Sequence, residues 1–216
     1  MIGRRSFIVA GAALTCARGA RAGLPVPPDA RLAFRVMRHG SCIGSHTLEF
    51  RVNGNGLEVD IAVDVRVSFG PIPLVHYYHR AREIWMDDRL VGVSSHTDRN
   101  GRQLQMEAVW AGSALDVTGS GTRPYTAPQH AHATTYWRKA SLFEPLIGTQ
   151  DGTLNYPKIV GPGSDPIRLA SGAQTAAEHY VLSGDMDVEL WYDEADEWVG
   201  MRFEADDGST ISYERV

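Results

Sequence analysis

Leu57-Glu58-Val59-Asp60-Ile61-Ala62-Val63-Asp64-Val65-Arg66-Val67-Ser68-Phe69 carries an apolar side chain at every odd position, while the even ones are Glu, Asp, Ala, Asp, Arg and Ser. A period of two is the repeat of a β-strand with one dry face and one wet face. At about 3.3 Å per residue this stretch reaches about 43 Å, well beyond the usual five or six residues, so the strand must twist and coil.

Working outward, Gly44, His46, Leu48, Phe50 and Val52 alternate with Ser45, Thr47, Glu49 and Arg51, and Asn53-Gly54-Asn55-Gly56 supplies residues that tolerate positive φ. That is a hairpin signal. Gly70-Pro71-Ile72-Pro73 interrupts the long strand, residues 74–87 resume it, and residues 90–97 and 102–110 follow across the turn Asp98-Arg99-Asn100-Gly101. Near the C-terminus Met186, Val188, Leu190 and Tyr192 form one apolar row, and Val199, Met201 and Phe203 form another. Residues 119–133 read as a Gly/Pro/His-rich loop. Residues 134–147 have helical spacing, with Tyr136, Ala140, Phe143 and Ile147 four, three and four positions apart.

The predicted fold is mainly β: a curled antiparallel sheet of about ten strands, a barrel or half-barrel, around one central helix. One helix cannot cover a flat sheet of that breadth, so the sheet must bend. A two-sheet β-sandwich is the alternative.

The N-terminus reads differently. Arg4-Arg5 precedes the short apolar run Phe7–Leu14, and Ala20-Arg21-Ala22 offers small residues around a cleavage point. These are the parts of a signal peptide, and the arginine pair points to the twin-arginine route. The apolar run is far short of the ~20 residues that cross a bilayer, so no stable membrane insertion is expected. The expected division is therefore residues 1–22 as leader and 23–216 as one β-domain, in the periplasm or secreted. Loss of residues 1–22 removes four arginines and no acid, leaving 17 basic against 26 acidic residues, a net charge of −9. Such a chain is repelled by nucleic-acid phosphates and anionic lipid headgroups. Only Cys42 of the two cysteines would survive cleavage, which precludes an internal disulfide.

Catalytic signatures are lacking: no G-x-S-x-G, S-x-x-K, HExxH or CxxC occurs around a plausible site. The chain therefore reads as a binding or structural protein in preference to an enzyme. His130 and His132, two apart, would face one side of an extended segment and could offer two imidazoles to zinc or copper. His79 would face His96 if Asp87-Asp88 forms the intervening turn. Ten acids between Asp185 and Asp207 lack the glycine-centred spacing of a calcium loop and read as a solvated hairpin face. The aromatics exceed the needs of turns, so Tyr77, Trp85, Trp110, Tyr136 and Trp137, with His79 and His96, are expected to line the concave interior as a ligand-binding surface.

Thr135-Tyr136-Trp137, Leu190-Trp191-Tyr192-Asp193, Trp198-Val199 and Asp207-Gly208-Ser209-Thr210-Ile211-Ser212-Tyr213, together with the paired-arginine leader, resemble a family of exported bacterial proteins known only as a domain of unknown function. More remotely, the layout is similar to lipoprotein carriers of the Lol type, half-barrels with an apolar cavity around a helix. The expected function is binding of an apolar small molecule or a lipidated protein partner. A metal-binding role through His130 and His132 and a structural role in the envelope are the alternatives.

Overall fold

A computed structural model describes residues 24–69 and 72–216; the expected leader, residues 1–22, lies outside them. The strands are β1 (Arg31–Arg38), β2 (Ser41–Asn53), β3 (Gly56–Phe69), β4 (Ile72–Met86), β5 (Arg89–Arg99), β6 (Arg102–Trp110), β7 (Leu115–Gly119), β8 (Thr122–Thr126), β9 (His132–Ala133), β10 (Leu146–Ile147), β11 (Leu154–Asn155), β12 (Lys158–Ser164), β13 (Ile167–Arg168), β14 (Gln174–Thr175), β15 (Glu178–Ser183), β16 (Val188–Tyr192), β17 (Trp198–Glu204) and β18 (Thr210–Arg215).

Thirteen of them form one continuous antiparallel sheet in the order β12-β15-β16-β17-β18-β1-β2-β3-β4-β5-β6-β7-β8. Two meanders, β1 to β8 and β15 to β18, are joined where the first strand pairs with the last. The sheet is larger than the ten strands expected and is one layer of strands, not two stacked sheets. It is also not closed into a barrel: among the described residues β12 and β8 are its two edges.

The sheet nonetheless bends. Arg99 at the end of β5 forms an ion pair with Asp206, just beyond β17. Six strand spacings separate β5 from β17, which is about 29 Å across a flat sheet. Only a strongly bent sheet lets one guanidinium meet one carboxylate over that interval.

The connection from β8 to β12 runs between opposite edges and so crosses the concave face. Sequence spacing predicts a helix over residues 134–147; instead this crossing is irregular, with a single 3₁₀ turn over Lys139–Phe143. Its backbone groups are satisfied by a small sheet in which β10 pairs with β9 in parallel and with β11 antiparallel. Two features oppose the helix. Tyr136 has a positive φ of 62°, and the side chains of Thr135 and Trp137 both reach Glu83, as alternate residues of an extended chain do and helical neighbours two apart do not. The crossing segment buries Ala127, Ala131, Trp137, Leu142, Leu146 and Ile147 against the sheet and acts as a plug. Its far end lies so close to β7 that a Cβ on Gly119 would fall 2.1 Å from the carbonyl oxygen of Asp151, so only glycine fits there. The loop read over residues 119–133 also holds the edge strand β8.

Inward rows of alternating side chains, such as Leu32, Phe34 and Val36 of β1 and Leu57, Val59 and Ile61 of β3, meet the plug in one core. On the convex side, Ile167 of the β13–β14 hairpin packs with Trp191, Val199 and Ala177. Among the described residues no helix is long and apolar enough to cross a membrane.

Candidate functional site

The plug covers only part of the long strands. Past it, the remaining lengths of β1 to β4 and the facing parts of β17 and β18 enclose a cavity of about 670 Å³. Its wall is aliphatic because the period-two pattern continues beyond the core: Val63, Val65 and Val67 follow Ile61 along β3, with Val75 of β4 and Val36 of β1 beside them. Met201, Phe203 and Ile211 close the opposite side.

Polar groups enter this wall at a few points. Cross-strand pairing aligns His46 with Val63, Val63 with His79, and His79 with Thr97 in one row over β2 to β5. His79 Nδ1 lies 2.7 Å from Thr97 Oγ1 and its ring stacks on Tyr77 with centroids 6.3 Å apart. His46 is 7% exposed, and neither ring nitrogen has a hydrogen-bond partner among the described residues. The rings of Trp198 and Tyr213 meet it edge-on at 5.4 and 5.6 Å, and Phe34 lies at 6.0 Å. Burial, then the neighbouring His79, pushes the His46 pKa down to about 3; burial, Arg80 and His96 push His79 down to about 4. Burial raises the phenols of Tyr77, Tyr136 and Tyr213; Tyr77 adds to the rise at Tyr136, both add to it at Tyr213, and Arg99 offsets part of it at Tyr77. The interior therefore presents neutral imidazoles and neutral phenols at ordinary pH.

The mouth is charged and mostly acidic. Asp151, Asp185, Asp187, Asp206 and Asp207 line it, against Arg38 and Arg99. Arg38 pairs with Asp207 and Arg99 with Asp206, so the β17–β18 turn is tied to the ends of both β1 and β5.

Of the residues read from sequence as ligand-binding, Tyr77, His79 and Tyr136 line this cavity. Trp85 and Trp137 are instead buried in the core, donating their indole N–H groups to Glu83 Oε2 at 2.8 Å each. His96 lies on the convex face in a polar groove with Arg80, Arg82 and Asp60. Trp110 is half-buried at the end of β6 beneath the guanidinium of Arg89. His79 does not face His96. The Asp87-Asp88 turn forms, with Met86 opposite Arg89, but a bulge at Val91 shifts the register so that His79 pairs with Thr97 and Arg80 with His96. His130 is exposed at a left-handed φ of 68°, and His132 is buried with its ring stacked on Trp85 at 5.4 Å. Among the described residues no three His, Cys, Asp or Glu side chains are grouped closely enough to hold a metal ion.

Two residues that sequence reasoning passed over are central. Glu83 is fully buried and accepts three hydrogen bonds, from Trp85, Trp137 and the Thr135 hydroxyl at 2.6 Å. His46 was visible only as one member of the inward row of β2.

With this geometry in place, residues 34–216 match the family described as "Domain of unknown function (DUF6134)". The chain belongs to that family. No curated protein and no solved structure matches it. The DUF6134 span holds the plug and nearly every strand, so the cavity lies within it. Sequence segments that carried the family resemblance meet at the plug: Thr135 and Trp137 bond Glu83, and the Tyr192 hydroxyl donates to the Tyr136 carbonyl at 2.7 Å.

Proposed function

We propose that this DUF6134 protein is an exported, periplasmic binding protein that takes an apolar molecule, or the acyl chain of a lipidated partner, into its concave cavity. One observation carries the reading: about 670 Å³ of space walled by valine, isoleucine, methionine and phenylalanine side chains, which the plug leaves unfilled. Cavities of this size and lining are the usual form of small-molecule sites, and apolar surface left open to water favours an occupant. The N-terminal leader pattern supports an extracytoplasmic setting, where apolar molecules need carriers between membranes.

The test is a titration of the purified protein with N-phenyl-1-naphthylamine, an uncharged dye that brightens in apolar surroundings. The expected result is saturable binding of one dye per chain, weakened at least about tenfold by Val65→Trp, which fills the wall. Absence of brightening, or brightening indifferent to Val65→Trp in a folded variant, rejects the cavity as a ligand site and favours a structural role in the envelope.

A further inference from the structure

Within this cavity the His46 imidazole stands out. We propose that it is the anchor for the ligand's head, and that the ligand is an uncharged, oxygen-headed hydrocarbon such as an alcohol or a ketone, not a fatty acid and not a cation. This rests on the reading of the cavity as a ligand site.

A neutral imidazole carries one N–H donor and one lone-pair acceptor. Buried polar groups are almost always paired, and an unpaired one costs the folded state its desolvation. Among the described residues neither buried nitrogen of His46 has a partner, yet its ring borders the cavity. Its ring neighbours Phe34, Trp198 and Tyr213 offer aromatic faces and edges, which satisfy an N–H or a lone pair weakly at best. A group in the cavity that both donates and accepts, or at least accepts, would complete what the protein leaves open. The hydroxyl is the smallest such group.

Charge narrows the class. Burial holds His46 and His79 neutral in the cavity, and the phenols of Tyr77, Tyr136 and Tyr213 are held protonated. No fixed charge at that depth would offset a carboxylate or an ammonium stripped of water. At the mouth six carboxylates, Glu204 with the five aspartates, outnumber two arginines that each hold a carboxylate partner, which disfavours an anion there although Arg38 Nε is itself buried and unpaired among the described residues. Tyr136 adds a sign of function, since a bulky residue at φ 62° is strained and its carbonyl is pinned there by Tyr192. The strain places its side chain in the cavity wall.

The experiment displaces N-phenyl-1-naphthylamine with three probes of equal chain length at pH 7.5: decan-1-ol, decanoate and decyltrimethylammonium. Decan-1-ol is expected to bind at least tenfold more tightly than either charged probe. In His46→Leu the affinity for decan-1-ol relative to the dye falls about tenfold, and in His46→Gln, which keeps a donor and an acceptor, most of that ratio returns. His46→Leu also removes an unpaired buried polar group, so its Tm rises by about 2–4 °C. A charged probe that equals or exceeds decan-1-ol overturns the proposal without needing any variant. An unchanged alcohol-to-dye ratio in folded His46→Leu also overturns it, making His46 a packing residue while the cavity remains a ligand site. Failure of the dye itself to bind the unaltered protein sinks the cavity reading, and the anchor with it.

Discussion

Glu83 fastens the plug to the sheet. It sits on the inward side of β4 with one oxygen shared by two indole N–H groups and the other taken by a threonine hydroxyl. Burial raises its pKa, outweighing the three hydrogen bonds that favour the ionised form. An acid whose folded pKa lies above its unfolded value binds more protons when folded. Its stabilising contribution is whole below the unfolded value of 4.5 and is lost as pH rises through the folded one. Glu83→Gln, which can mimic the neutral acid, is therefore expected within about 1 kcal/mol of the parent at pH 5 and increasingly more stable than it toward pH 8. Glu83→Ala leaves three donors without an acceptor and should cost about 3 kcal/mol or more at either pH. Urea midpoints against pH decide this, and a Gln variant that weakens relative to the parent as pH rises would show an ionised carboxylate at the latch. The histidines act in the opposite sense. His46, His79 and His132 have lowered pKa values, so their contribution is whole above 6.5 and is lost as pH falls toward 4 and below. Each should cost about 1–2 kcal/mol by pH 5, and His46→Leu should flatten that acid limb by about one histidine's share. Sequence placed His46 on the inward row correctly, since β2 alternates cleanly. It could not show Glu83 as inward, because the neighbouring positions of β4 mix Tyr, His, Arg and Ala on both faces and the period-two signal is faint there.

At the scale of elements, the long strands were legible because thirteen residues of strict alternation admit no other regular structure. What misled was a change of phase within a strand. On β5, Leu90 faces the core at an even position, while Val93 and Thr97 face it at odd ones, and Val91 is the residue that absorbs the difference. Turn arithmetic assumes a constant register, so it paired His79 with His96 when the bulge pairs His79 with Thr97. The same happens at β16–β17, where Trp198 and Met201 both join the core although their numbers differ in parity, and Val199 is displaced to the convex side. The helix expected over residues 134–147 rested on four apolar positions, but Ala140 and Phe143 are exposed and Ile147 alone of the four is fully buried, so their spacing marked no single buried face. Deletion of Val91 tests the bulge directly. With that extra residue gone, the regular register from the turn places Leu90, Val93 and Thr97 on the core face together, and His79 still meets Thr97. The expected loss is within about 1 kcal/mol in urea unfolding, since the buried hydrogen bond and the buried apolar area both survive. A loss of about 3 kcal/mol or more would mean that Val91 does more than shift the register.

For the molecule as a whole, strand length, bend and cavity are one problem. Thirteen strands in a single sheet present an apolar face too broad to leave flat, and the chain must return from the β8 edge to the β12 edge across it. The return fills one end of the concavity with a plug that touches both flanks: Trp137 packs on Phe50 of β2, and Phe143 on Tyr180 of β15. Because β3 and β4 run 14 and 15 residues, they outreach the plug, and their remaining length becomes the cavity wall. The bend is thus held by plug contacts on both flanks, and the Arg99–Asp206 pair reports it without being its cause, as an exposed ion pair contributes only about 0.2–1 kcal/mol. Replacing that pair by cysteines should leave the bend intact. In the full chain with Cys16→Ser and Cys42→Ser, Arg99→Cys with Asp206→Cys is expected to give rapid intramolecular cross-linking by bismaleimidoethane under native conditions and much less in urea, read as a shift in gel mobility. A flat sheet would hold the two thiols about 29 Å apart, beyond the reagent's reach. Native protein that stays uncrosslinked while both thiols react singly would remove the bend, and with it the enclosed space on which any bound ligand depends.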